Sequence, residues 1–292
     1  MRTLRFKEIT PGIDDWLAPA EVHRSIADDS LTSGPFRRRG TAEGFLSTGN
    51  ERPDATRNLV LLGGSFVESM FSPEDKRFAS VLERHLASEW SVLNGGYSGM
   101  TTLHALSQLA AKIAPHALGS SRLVYFVPMS DSSALATSAL YWAGSKTVTP
   151  IVPAVSSTPP PWDRREAAAR LRGALIATAQ ALGIELAVIA SPYRDGDFST
   201  DVALRALYKE DRVRYARARW RFELLREVAR NECAARSVPF LDAQDILDDP
   251  ALYYDQMHLN EQGQGVFAAK LLRWLSPLLE SEAPWSRPIS DK

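Results

Sequence analysis

A single cysteine, Cys233, stands among 292 residues, which excludes a disulfide framework. It falls in the helical stretch Asn231-Glu-Cys-Ala-Ala and reads as a buried or half-buried structural thiol. Five histidines are present, at none of the spacings that zinc sites use, so no metal is expected. No run approaches the ~20 apolar residues that a membrane span needs. The opening Met1-Arg-Thr-Leu-Arg-Phe-Lys-Glu holds charges where a secretory leader needs an apolar run, which predicts a cytoplasmic protein. A formal net charge of −1 gives no basic footprint for nucleic acid or an anionic membrane. The one basic run, Arg212 to Arg221, is flanked by acids and reads as a solvated helix face. No Gly-x-Gly-x-x-Gly is found, no cofactor is implied, and no repeat of fixed period occurs. What remains is an ordinary globular composition, 45% hydrophobic and 24% charged.

From Asn58 onward, short apolar runs alternate with longer amphipathic ones. Asn58–Leu62, Ser91–Leu93, Arg122–Val127, Glu185–Ala190 and Pro239–Asp242 read as strands. Arg77–Trp90, Leu103–Ala114, Arg164–Leu182, Val202–Arg236 and Gln262–Leu279 read as helices. This alternation predicts an α/β protein with three layers, α/β/α, around a five-stranded parallel sheet of flavodoxin-like order 2-1-3-4-5. Residues 1–57 stand outside the pattern as an extension on or over a core of residues 58–292, with Arg37-Arg38-Arg39 expected in a solvated loop. Residues 132–162 form a lid-like insertion after the third strand. Its Tyr141, Trp142 and Trp162 either line an acyl or acceptor pocket or pack the loop onto the body.

The chemistry is signalled at strand ends. Leu59-Val-Leu-Leu-Gly-Gly-Ser65 is a buried strand followed by a tight turn, which puts Ser65 where open α/β sheets place ligands. Near the carboxyl terminus, Asp255-Gln-Met-His258 offers a base and, three residues earlier, a carboxylate to orient it. Either residue alone reads as a loop cap or an exposed turn residue; with Ser65 the set meets the needs of an activated hydroxyl. Between them, Asn94-Gly-Gly-Tyr-Ser-Gly99 exposes backbone N–H groups after the second strand, with Ser98 or Thr101 able to cap the next helix. Ser130 follows the third strand and faces the same crevice. His104 reads as a surface or half-buried helical residue, and His23, His85 and His116 have no carboxylate partner at useful spacing.

In this order, the four segments resemble the blocks of the SGNH hydrolases, the GDSL esterase and lipase superfamily, over roughly Asn58 to Leu279. Gly64 stands where the first block has aspartate, before the nucleophile Ser65. Asn94 to Gly99 is similar to the second block, whose last glycine gives an oxyanion N–H; Asp255 and His258 match the last, as orienter and base. The third block departs: Pro128-Met-Ser130-Asp131 has serine where the family's asparagine donates to the oxyanion. The resemblance implies a serine ester hydrolase that removes a small, acetyl-like O-acyl group from a sugar or small metabolite. Oxyanion and substrate contacts would come from Gly99, Ser130, Gly64 and Asn94. Two alternatives stand beside it: an O-acyltransferase using the same acyl-serine, and a non-catalytic binding module on a degenerate esterase fold.

Overall fold

The computed structural model describes residues 3–117, 121–143, 150–152, 161–281 and 285. Strands β1 (Arg57–Gly63), β2 (Trp90–Gly96), β3 (Ser121–Val127), β4 (Glu185–Ala190) and β5 (Phe240–Asp242) form one parallel sheet. Its order is 2-1-3-4-5, as the alternation of strands and helices predicts. The helices that bear on the site are α1 (Ser65–Glu68), α2 (Phe78–His85), α3 (Thr102–Gln108), α4 (Asp131–Ala134), α5 (Arg164–Ala181), α6 (Val202–Tyr208), α7 (Arg212–Ala235) and α8 (Glu261–Glu280).

Successive strand residues point to opposite faces, and both faces are apolar because helices cover both. Val60, Leu62, Leu123, Tyr125, Leu186 and Val188 meet Ala105 of α3, Leu171 and Leu175 of α5 and Leu225 and Val228 of α7. Leu59, Leu61, Val124, Phe126, Ala187 and Ile189 face α2 and α8 through Phe78, Leu82, Phe267 and Leu271. Cys233 is buried in the first of these clusters, and burial pushes its thiol up to about 12. No helix among the described residues is long and apolar enough to cross a membrane.

The single long helix expected over Val202–Arg236 is two. Lys209 and Glu210 take positive φ (54° and 59°), ending α6, and Asp211 caps α7 by accepting from Val213 N and Arg214 N, both at 2.9 Å. Arg37-Arg38-Arg39 is not a loop: Phe36–Arg39 pairs antiparallel with Asp14–Leu17. Each guanidinium is engaged, Arg37 with Asp14 (2.7 Å), Arg38 with Asp15 (2.6 Å) and Arg39 with Glu74 (2.9 Å). With acids on one strand and arginines on the other, the ribbon has no periodic apolar signal to announce it. The segment before β1 also reaches the sheet, where Leu46 N donates to Asn94 O (2.8 Å) and Phe45 joins the core.

Of the insertion at 132–162, residues 144–149 and 153–160 lie outside the described residues, so its lid role rests on sequence alone. The described aromatics follow the packing alternative. Tyr141 is fully buried, and Trp142 and Trp162 meet edge to face at 5.5 Å on the same core cluster.

Candidate active site

Four chain segments reach the carboxyl edge of the sheet together. The first is α1, entered from β1 through Gly64, its N-cap. Ser65 is therefore the first residue inside the helix and not its cap, which leaves the hydroxyl free for other work. The helix has only one turn, too short to stand on propensity. Phe66 fixes it, with its ring 5.7 Å from Phe78, 6.1 Å from Phe126 and 5.2 Å from Phe267. From α8, Gln264 Oε1 accepts from Phe78 N (2.8 Å) and Ser69 Oγ (3.3 Å), which pins the chain just beyond α1.

The loop before α8 brings the base. His258 Nε2 lies 2.7 Å from Ser65 Oγ, and His258 Nδ1 lies 2.7 Å from Asp255 Oδ2 and 2.9 Å from Oδ1. Asp255 Oδ1 also accepts from Met257 N and His258 N, both at 2.8 Å. Both carboxylate oxygens thus face the imidazole, and Oδ1 shapes the loop as well. Burial works against both charges. It raises the Asp255 carboxyl, but His258 and the two N–H donors outweigh it and bring the group below its ordinary value. It lowers the His258 imidazole, but the adjacent Asp255 carboxylate more than compensates, and the imidazole stands above its ordinary value.

Residues that the sequence did not single out support this loop. The Tyr254 ring stacks on His258 at 5.5 Å and 13° and is packed in turn by Phe36 and Phe71. Asp28 N donates to Tyr254 O (2.7 Å), while Arg194 bonds Asp28, Asp201 and the Tyr253 carbonyl. An aromatic one residue before Asp255 was the available signal; its partners lie too far away in sequence to be read.

The second segment follows β2. Tyr97 N donates to Gly63 O (3.0 Å) and Met100 N to Tyr97 O (3.1 Å), closing a four-residue turn with Gly99 at φ 74°. That third position of a turn with positive φ is one that glycine fills without strain. Glu68, in the last place of α1, accepts from Ser98 N (2.6 Å) and Ser98 Oγ (2.5 Å). Ser98 is thereby committed to Glu68. Thr101 caps α3, with His104 Nδ1 accepting from Thr101 N (3.2 Å). His104 is accordingly buried, not a surface residue. Asn94 also needs correction as a substrate contact. Its side chain is 1% exposed, Nδ2 donates to Val67 O (3.1 Å) and Oδ1 accepts from Gly96 N (2.9 Å). It holds α1 against β2.

The third segment follows β3. A Cβ placed on Gly64 would meet Pro128 Cβ at 3.6 Å and Met100 O at 3.8 Å, so the turn before Ser65 touches the segments that follow β2 and β3. Asp131 is fully buried, accepting from Thr102 N (2.8 Å), Thr102 Oγ1 and Arg172 Nη2 (2.9 Å). Ser130, half-buried, caps α4, and its hydroxyl has no hydrogen bond among the described residues. Met129 and Met257 border a separate aromatic cluster with Tyr193, Phe198, Tyr208 and Phe222. Among the described residues, no three His, Cys, Asp or Glu side chains gather as metal ligands.

Chemically, the arrangement offers a hydroxyl in contact with an oriented, buried imidazole and a glycine turn beside it. No family model matches the chain, and no curated protein sequence matches it. Solved structures do. A carbohydrate acetylesterase from Sinorhizobium meliloti has a TM-score of 0.51 at 14% identity, covering 76% of this chain and 99% of that one. The M. smegmatis aryl esterase gives 0.51 at 15%, over 76% and 99%. A member of the lipolytic G-D-S-L family from Veillonella parvula gives 0.50 at 12%, over 75% and 98%. The chain has the α/β/α fold of these hydrolases.

Proposed function

We propose that this chain is a serine-dependent ester hydrolase of the SGNH type, acting on a small O-acyl group, acetyl-like, carried by a sugar or small metabolite. The observation that carries the reading is the 2.7 Å contact between Ser65 Oγ and a His258 whose other ring nitrogen faces Asp255. In this mechanism Ser65 attacks the acyl carbon while His258 Nε2 takes its proton and passes it to the departing alkoxide. Asp255 holds the ring with Nδ1–H toward the carboxylate and stabilises the imidazolium. The oxyanion is held by the N–H groups of Ser65 and Gly99, with the Ser130 hydroxyl in the place of an amide. Water then enters, His258 removes its proton, and the acyl-serine is hydrolysed. The acetyl preference draws on the likeness in fold to a carbohydrate acetylesterase.

The test is labelling by a fluorophosphonate. Wild type is expected to label at Ser65, Ser65→Ala not at all, and His258→Ala much more slowly. Equal labelling of wild type and Ser65→Ala rejects the assignment, and an unlabelled, folded wild type favours a binding module. Partition of the acyl group between water and added alcohols then separates hydrolase from acyltransferase.

A further inference from the structure

We infer that Glu68 is a positioning residue for the oxyanion: its buried carboxylate fastens the Ser98–Gly99 turn to the helix that starts at Ser65, and so sets where the Gly99 N–H points. The inference rests on the ester-hydrolase reading and adds to it a residue outside the four blocks. Glu68 stands three residues after Ser65, in the single turn of α1, and is 1% exposed. Its Oε2 takes both the backbone N–H (2.6 Å) and the hydroxyl (2.5 Å) of Ser98. Gly99 is the next residue, at φ 74°. The nucleophile and the turn that bears its oxyanion donor are therefore joined through one side chain.

The backbone confirms how close the two elements sit. A Cβ on Gly96 would lie 2.3 Å from Glu68 N, so the end of β2 abuts α1 directly. Tyr97 N is tied to Gly63 O on the other side of the turn. With Tyr97 and Ser98 both anchored to the segment that carries Ser65, Gly99 has little freedom left. A buried carboxylate is costly unless it is hydrogen-bonded and has compensating charge. Around Glu68 the compensating groups are Arg38 from the ribbon and Arg77 before α2, with Lys7 and His258 also within range of its charge. Burial still pushes the Glu68 carboxyl above its ordinary value. A serine, threonine or alanine would fill this position without that cost, and none would reach Ser98. Oxyanion donors act through preorganisation, so an acceptor that fixes the turn changes the transition state more than substrate affinity.

The experiment compares wild type, Glu68→Gln, Glu68→Ala and Ser65→Ala on p-nitrophenyl acetate, with binding of a trifluoromethyl ketone as a mimic of the tetrahedral oxyanion. Deleting an oxyanion donor outright costs about 10²–10³ in kcat, and loosening one is expected to cost about 10–100-fold in Glu68→Ala. KM is expected to change little, and ketone affinity to fall by the same factor as kcat/KM. Glu68→Gln keeps an acceptor for Ser98 N–H and is expected to restore most of the rate. Where the alanine variant does not fold, Glu68→Asp puts the same question, since its carboxylate is drawn back by one methylene. An alanine or aspartate variant with wild-type kcat overturns the inference. So does a variant whose kcat falls while ketone affinity holds, because the loss then lies away from the oxyanion. A wild type as inert as Ser65→Ala overturns the esterase reading and this inference together, whereas an active wild type confines any failure to Glu68.

Discussion

Replacing Asp255 with asparagine tests the orienting role, because only one of the two carboxylate oxygens also serves the loop. Oδ1 receives the N–H groups of Met257 and His258 at 2.8 Å each and lies 2.9 Å from His258 Nδ1, while Oδ2 faces Nδ1 at 2.7 Å. An asparagine in the same rotamer keeps its carbonyl oxygen at the Oδ1 position, where the backbone donors require an acceptor. Its NH₂ then lies at the Oδ2 position and points at Nδ1. The NH₂ would stand at the nearer of the two positions, 2.7 Å against 2.9 Å for the carbonyl oxygen. Two donors cannot face each other there, so the tautomer with Nδ1 as acceptor and the proton on Nε2 is favoured. That proton points at Ser65 Oγ, and the imidazole can no longer act as base. The loop persists while the chemistry stops. The same change in a serine protease triad lowers kcat about 10⁴-fold, and a drop of about 10³–10⁴ here equals roughly 4–5.5 kcal/mol of barrier. Losing the carboxylate also removes what lifts the imidazole, so the acid limb of residual kcat/KM moves to lower pH. Steady-state rates from pH 5 to 9, with urea unfolding as a folding control, test both points. An asparagine variant that folds and keeps kcat within about threefold of wild type would refute this account of the triad, given the expected ~10³–10⁴ loss.

Ser130→Ala should lower kcat by about tenfold or more with KM held, and Ser130→Asn should match or exceed wild type, if the hydroxyl is an oxyanion donor; equal rates in all three would remove Ser130 from the site. Phe36→Ala empties the packing behind Tyr254 and should cost about 3–5 kcal/mol, read as a lower urea midpoint, with kcat falling in the folded protein as His258 loosens. The pH dependence has opposite signs for the two partners. His258, raised by folding, adds stability that is present below its unfolded value and lost as pH rises through the folded one. Asp255, depressed by folding, adds stability that is present above its unfolded value and lost as pH falls through the folded one. The advantage of wild type over His258→Gln in urea should therefore be larger at about pH 5.5 than at about pH 8.5, given an ordinary imidazole value of about 6.5; the reverse trend would contradict the raised imidazole.

Periodicity made the sheet legible, because every strand of a doubly covered parallel sheet is apolar along its length, as Leu59 to Leu62 are. Ser65, Asp255 and His258 were legible because loops at one sheet edge must meet, whatever their separation in sequence. Asn94 was misjudged for a related reason. A polar residue at a strand end looks the same in sequence whether it faces a substrate or the carbonyl of Val67. Glu68 acts through Ser98, 30 residues away, Arg194 through Asp28, 166 residues away, and Tyr254 through Phe36 and Phe71, farther still; no local pattern encodes such pairings. The ribbon of Asp14–Leu17 and Phe36–Arg39 escaped because its strands are rich in charge and bury only Phe36, which leaves no alternating apolar face to read.

The departure at Ser130 is best weighed against its neighbour. Asp131 binds Thr102 N, Thr102 Oγ1 and Arg172, and through them joins the turn after β3 to the start of α3, which itself begins where the Gly99 turn ends. With no exposure to water, that carboxylate would be strongly destabilising if either partner were lost. Asp131 is thus a fixed part of the frame, and its hydrogen bonds do not involve the residue before it. On the proposed esterase reading, only the donor at position 130 differs from the SGNH pattern, a shorter hydroxyl where that pattern has an amide. Such a substitution alters reach without altering fold, so its consequence belongs in kcat and not in stability. The urea midpoint of Ser130→Asn should accordingly equal that of wild type even where its kcat differs, and a shifted midpoint would mean that Ser130 belongs to the frame as well.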